Sequence, residues 1–172
     1  QVDAVIGRGG LPGPRRGGVS AINEQVKQDL INAKHKHVCN LGSLIADEIA
    51  QMCHCPAYMA DPVVVDEFMT RARYTGLPFM KRESIFHALN AKAASRRYAR
   101  SIGRKYEEMN LVVAHLGGGI CVSAHHEGKV IDVNNALNGE GPIAPERAVT
   151  LPADQLVRLC FSGKHTEAEI MK

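Results

Sequence analysis

The stretch Leu111–Arg147, LVVAHLGGGICVSAHHEGKVIDVNNALNGEGPIAPER, decides how the chain is read. It opens with an apolar run, Leu111-Val112-Val113-Ala114, which reads as a strand and stops at Gly117, Gly118 and Gly119. A second β-type run follows at Ile120, Val122 and Ala124, and His126-Glu127-Gly128-Lys129 reads as a hairpin turn into a third strand, Val130 to Val133. Glycines directly after a buried strand let backbone N–H groups turn toward a ligand, because no Cβ blocks the conformation or the approach. Such a turn is a nest of donors, and its natural guest is a phosphate. A plain hairpin with no ligand is the competing reading. Residues 134–147 form an irregular loop rich in Asn, Gly and Pro, of a length that in a compact domain is functional or disordered.

Working outward, residues 81–109 form the longest helical stretch, starting near Ser84 with an amphipathic spacing at Ile85, Ala88, Leu89, Lys92 and Ala93. His87 falls in its first turns, where a histidine is more often structural than functional. Further upstream, residues 56–66 give a strand signal that ends in Asp61-Pro62. The proline biases Asp61 toward extended geometry and sets its carboxylate at a strand end. Ligand contacts collect there in α/β folds, but Asp61 could equally cap a helix over residues 63–74. A helix over residues 40–52 is interleaved with the small residues Gly42, Ser43 and Ala46, and Ser20 reads as the N-cap of a helix carrying Ile22, Val26 and Leu30. At the start, residues 2–6 read as a short buried strand running into a Gly- and Pro-rich loop. Arg8 stands between glycines there, in GRGG, either reaching an anion or simply solvated. Helices at 153–161 and from Thr166 close the chain. Three antiparallel strands after a long helix, with mixed elements elsewhere, place the fold in the α/β or α+β class.

Composition excludes several classes of function. The 172 residues are 45% apolar and 23% charged, with a formal charge of +3 and dispersed basic residues, so nothing calls for nucleic acid. No apolar run approaches a membrane span, and there is no secretory signal. Five irregularly spaced cysteines read as reduced cytosolic thiols, and Cys53-His54-Cys55 lacks the spacing of a zinc site. Pro12 and Pro14 obstruct the helix that a dinucleotide motif must open, and no GxxxxGK[ST] loop occurs. The chain begins at Gln1 and stops at Lys172 in what reads as a starting helix, so an interior piece of a longer protein is expected.

Four blocks in series, VIGRGG, MADPVVVDE, SIFHALNAKAASRRYA and HLGGGICVSAHHEGKVIDVNNALNGEGPIAPER, closely resemble the butyrate kinases. These form part of the acetate-kinase family within the actin-like ATPases. The resemblance implies an actin-like (ribonuclease H-like) kinase fold, here incomplete. Residues 1–61 would be the end of an N-terminal lobe and 62–172 the first part of a C-terminal lobe. It implies a cytoplasmic enzyme, homodimeric or of higher order, that uses ATP and Mg2+ to phosphorylate a short-chain carboxylate. By position His87 would hydrogen-bond the transferring phosphoryl group and Arg147 would contact phosphoryl and carboxylate. Asp61 would sit near the metal, and Gly117, Gly118 and Gly119 would meet phosphate. Acetate kinases carry asparagine where this chain has Gly118, and Arg8 aligns with the second histidine of their HRVVHGG-like block and not with that block's substrate arginine, whose job it would do from a shifted position. The family chain is about twice this length, so an upstream phosphate loop, the adenosine pocket and a metal-linked glutamate would fall outside this segment. A branched-chain fatty-acid kinase and an inert, partner-binding segment are the alternatives.

Overall fold

A computed structural model describes residues 1–141 and 143–171. Pro142, in the expected loop 134–147, and Lys172, at the end of the expected last helix, lie outside the described residues. The first half is built on a three-stranded sheet ordered β1-β3-β2, from β1 (Val5–Arg8), β2 (Val19–Ala21) and β3 (Ala57–Ala60). β1 runs parallel to β3 with Gly7 opposite Met59, and β2 runs antiparallel to β3 with Ser20 opposite Met59. The helix α2 (Leu41–Cys53) lies directly on β1. The approach is so close that a Cβ on Gly7 would stand 2.7 Å from the Gly42 carbonyl, and one on Gly42 would stand 2.5 Å from the Arg8 carbonyl. Glycine on both elements is what permits the contact. The core here gathers Val26, Leu30, Ala46, Ala50 and Met59.

The second half is an antiparallel meander of β4 (Asn110–Leu116), β5 (Ile120–His126) and β6 (Lys129–Val133), in agreement with the three strands expected from the sequence. Glu127 and Gly128 take φ of 48° and 78°, the pair of positive values that a tight two-residue hairpin demands. Against this sheet packs α3 (Ala88–Ser101), with Phe86, Cys121, Val130 and Val133 at the centre of the second core. Leu11, Val64 and Ile85 form a smaller cluster of their own. Two exposed helices, α4 (Ala153–Cys160) and α5 (Glu167–Ile170), follow, the latter opened by a Thr166–Glu169 capping box.

Four expectations are corrected. Ser20 caps no helix, because the ladder with β3 takes the segment; Asn23 caps α1 (Glu24–Ile31), accepting a bond from Val26 N–H at 3.0 Å. Residues 63–74 are not helical beyond one short turn at Thr70–Arg73. Their backbone groups are claimed from outside: Val64 O by Arg15 N–H, Val63 O by Phe86 N–H, and Met69 N–H by Ile131 O. The three consecutive valines favour that extended course. α3 begins at Ala88, not near Ser84, whose hydroxyl donates to Val65 O at 2.7 Å, and it ends at Ser101, well short of Met109. His87 is therefore the residue before the helix, outside its first turns. Last, Asp61 is not extended: its φ is +33°, a left-handed value that aspartate tolerates better than most residues. With no helix after it, Asp61 caps nothing.

Candidate active site

Arg8 ends β1 and is anchored in the sheet by its pairing with Ala60, so the chain presents it from a strand end, not from the glycine loop. Its charge faces His87 and His115, and depresses the pKa of both. His87 is brought up from the start of α3, where Phe86 beneath it is fully buried. His115 comes from the end of β4, two residues before the glycine turn. The two imidazoles stack with centroids 3.7 Å apart, while His115 Nδ1 lies 3.3 Å from Asn90 Oδ1 on α3. On its other edge His87 Nδ1 meets Cys121 Sγ at 3.3 Å.

Burial, then the neighbouring His115, Arg8 and Arg147, pull the His87 pKa down to about 4. His115 is lowered by burial and by Arg8. Both rings are thus neutral at ordinary pH, and His87 works as a hydrogen-bonding group, not as a cation.

The turn at Gly117–Gly119 is tight, but none of its glycines takes a positive φ. Their value lies in approach. A Cβ on Gly119 would stand 3.1 Å from His87 Cε1, and one on Gly118 would stand 2.6 Å from the Glu146 carboxylate. Arg147 donates to Gly118 O and to Glu146, each at 3.2 Å, which ties the 134–147 loop to the turn. That loop is moored by Arg82, which bonds Glu140, Asp132 and the Val133 carbonyl.

Two cavities adjoin at His87. One, of about 90 Å³, is lined by Arg8, His87 and Arg147 together with the apolar Leu11, Val63, Ile85 and Leu137. The other, of about 390 Å³, is lined by Arg8, His87, His115, Asn90 and Asp61. Arg8, His87, Arg147 and the glycine turn therefore meet at one place. Asp61 borders it but is committed elsewhere: one carboxylate oxygen accepts from Gly18 N–H at 2.7 Å and the other from Arg96 at 2.8 Å. His115, Asn90, Arg96, Glu146 and Cys121 complete the surroundings, and the sequence reading singled out none of them. A histidine two residues before the glycines was the available signal for His115.

Two guanidinium groups, an imidazole and exposed turn backbone suit the phosphate end of a nucleotide or an acyl phosphate. Divalent metal fares differently: among the described residues no group of three or more His, Cys, Asp or Glu could hold an ion. Asp61 is the one buried carboxylate beside the cavities, and Arg96 already neutralises it. The described residues do not by themselves make a Mg2+ site.

No family model matches the chain. Whole sequences do. A probable butyrate kinase of Phocaeicola vulgatus is 69% identical over 170 residues, covering 99% of this chain and 48% of the relative. Butyrate kinase 2 of Clostridium acetobutylicum is 54% identical over 172 residues with the same two coverages. Among solved structures, acetate kinase of Porphyromonas gingivalis matches with a TM-score of 0.80 at 21% identity, over 98% of this chain and 45% of that one. A propionate kinase of Francisella tularensis matches with a TM-score of 0.73 at 18% identity, over 96% of this chain and 46% of that one. The fold is therefore the mixed α/β fold of the acetate and propionate kinases, in part. The chain spans about half the length of the curated relatives it matches, and over that half it belongs to the butyrate kinase family.

Proposed function

We propose that this chain carries the acyl- and phosphoryl-binding part of a carboxylate kinase that moves the γ-phosphoryl group of ATP onto butanoate, giving butanoyl phosphate and ADP reversibly. The observation that carries the reading is the meeting of Arg8, His87 and Arg147 in the lining of one small, largely apolar cavity. Joining a carboxylate to a phosphoryl group brings two anions together, so the site must neutralise charge and hold the partners in line. Arg8 and Arg147 supply the charge. The carboxylate is ionised at neutral pH and needs no base, which fits a His87 held neutral down to a pKa of about 4. His87 then serves as a donor to a phosphoryl oxygen. The apolar walls accept a chain of a few carbons.

ATP would supply the phosphoryl group, and Mg2+ would be held mainly by the nucleotide's phosphates and water, because Asp61, the buried carboxylate beside the cavities, is already engaged by Gly18 and Arg96. Residues 1–61 and 62–172 as parts of two lobes, a cytoplasmic location and a homodimeric or larger assembly belong to the same proposal. The two separate sheets support the division into lobes, and the location and assembly rest on the family resemblance alone. The test is to restore the missing half from the Phocaeicola vulgatus relative and assay acyl hydroxamate from ATP, hydroxylamine and carboxylates of increasing length. Butanoate should be the best acceptor; turnover with acetate alone would overturn the assignment.

The short span favours a second reading, in which this polypeptide alone is catalytically inert, binds no nucleotide and has only a structural or partner-binding role. Calorimetry with ATP and Mg2+ separates the two, because micromolar binding is incompatible with an inert segment.

A further inference from the structure

Cys121 is fully buried, yet its sulfur is spent on a polar contact. It sits on β5 directly across the ladder from His115, so both side chains leave the same face of the sheet, and both meet His87. His87 is thereby held on three sides. His115 covers one face, Gly119 lies against the Cε1–Nε2 edge, and Cys121 Sγ stands 3.3 Å from Nδ1. We propose that Cys121 is a positioning residue: its S–H donates to His87 Nδ1, fixing the ring as the Nε2–H tautomer with that proton aimed at the cavities.

The proton count decides the direction of the bond. Burial raises the thiol pKa, so Cys121 is neutral and carries one proton. If His87 instead donated from Nδ1, the S–H would be left within the apolar cluster that Cys121 shares with Phe86, Ala88 and Val130, and Nε2 would face the anion as a bare lone pair. With the thiol as donor, Nδ1 is satisfied, and the only free imidazole proton is the one a phosphoryl oxygen can use. His115 is fixed the opposite way: Asn90 Oδ1 can only accept, so the His115 Nδ1 that faces it carries the proton. A thiol is a weak donor, but no water competes with it here.

The functional consequence rests on the carboxylate-kinase reading; the tautomer does not, and it is measured without turnover. In the chain labelled with 15N-histidine, His87 should show an unprotonated Nδ1 and a protonated Nε2, unchanged between pH 5 and 8. The S–H stretching band of Cys121 should be shifted down as for a hydrogen-bonded thiol. Cys121→Ala should release the ring into a mixture of tautomers, and Cys121→Ser, which keeps the donor, should restore the single form. A protonated Nδ1, a free S–H band, or an unchanged tautomer in Cys121→Ala would overturn the proposal. In the completed enzyme Cys121→Ala should lower kcat about tenfold with KM for the carboxylate nearly constant, and Cys121→Ser should recover it. If the tautomer proves fixed while no carboxylate is phosphorylated, the kinase reading fails and the positioning role stands.

Discussion

The imidazole rings of His87 and His115 lie face to face, 3.7 Å between centroids and within 8° of parallel. A proton on either ring would sit against its neighbour and within the field of Arg8. The stack is therefore a device for keeping both histidines uncharged beside an anion site, so that the arginines alone supply positive charge.

One consequence is a pH-dependent stability. His87 and His125 both have their pKa lowered to about 4 from 6.5, largely by burial. Between those values the unfolded chain binds more protons than the folded one, so stability is full above pH 6.5 and falls as pH drops toward 4. Each histidine contributes at most on the order of 3 kcal/mol, less whatever solvent screens. Urea midpoints at pH 7.5, 6 and 5 should fall in that order, and His125→Gln should reduce the slope by about half. A midpoint that does not change over this range would contradict the burial argument.

Removing either arginine should weaken anion binding. Arg8→Ala and Arg147→Ala are each expected to lower affinity for butanoyl phosphate by roughly tenfold or more, the worth of a charge-assisted hydrogen bond. Titration calorimetry at low salt reads this directly. Equal affinity in wild type and variant would take that arginine out of the site.

The glycines divide by what they touch. A Cβ on Gly42 meets the Arg8 carbonyl at 2.5 Å, and one on Gly10 meets Asn40 Cα at 2.5 Å, so in both cases backbone must move. Gly42→Ala and Gly10→Ala should each destabilise by about 1–3 kcal/mol in thermal or urea unfolding. Gly118→Ala meets only the exposed carboxylate of Glu146, which can swing aside. Its cost should stay within about 0.5 kcal/mol.

Lys92 and Glu67 form a buried ion pair at 2.8 Å. Glu67 also accepts from Gly17 N–H and Val130 N–H, while Lys92 donates to the Gly128 carbonyl. Lys92→Ala leaves the carboxylate buried without its counter-ion, at an expected loss of about 3–5 kcal/mol. Denaturant unfolding of Lys92→Ala checks this; a loss under 1 kcal/mol would mean that water reaches the pair.

Local pattern made much of this legible. The meander could be read because the apolar run Leu111–Ala114 stops at three glycines, Ile120, Val122 and Ala124 alternate along β5 and Glu127-Gly128 carries turn chemistry, all signals confined to a few neighbouring residues. Failure came where a distant partner decided the outcome. Three valines followed by an apolar spacing look helical, yet Arg15, Phe86 and Ile131 claim the backbone of that segment from three directions. Asp61 could be placed at a strand end, but Arg96, its partner, is 35 residues away and gave no local sign. Likewise Arg8, His87 and Arg147 were picked out one by one, whereas the His115 stack and the Cys121 contact depend on the β4–β5 register.

The first sheet is finished at Ala60 and the second begins at Asn110, so the main chain leaves one for the other once, at Asp61. That point is stitched on both sides, to Gly18 in the first half and to Arg96 on α3, and Arg15 pairs with Val65 just beyond it. A hinge placed there would have to break all three attachments before it could turn. The attachments therefore hold the strand that carries Arg8 against the segment that leads to His87. The interval between the two is gauged before any anion arrives, and the ordering it requires is met during folding rather than on binding.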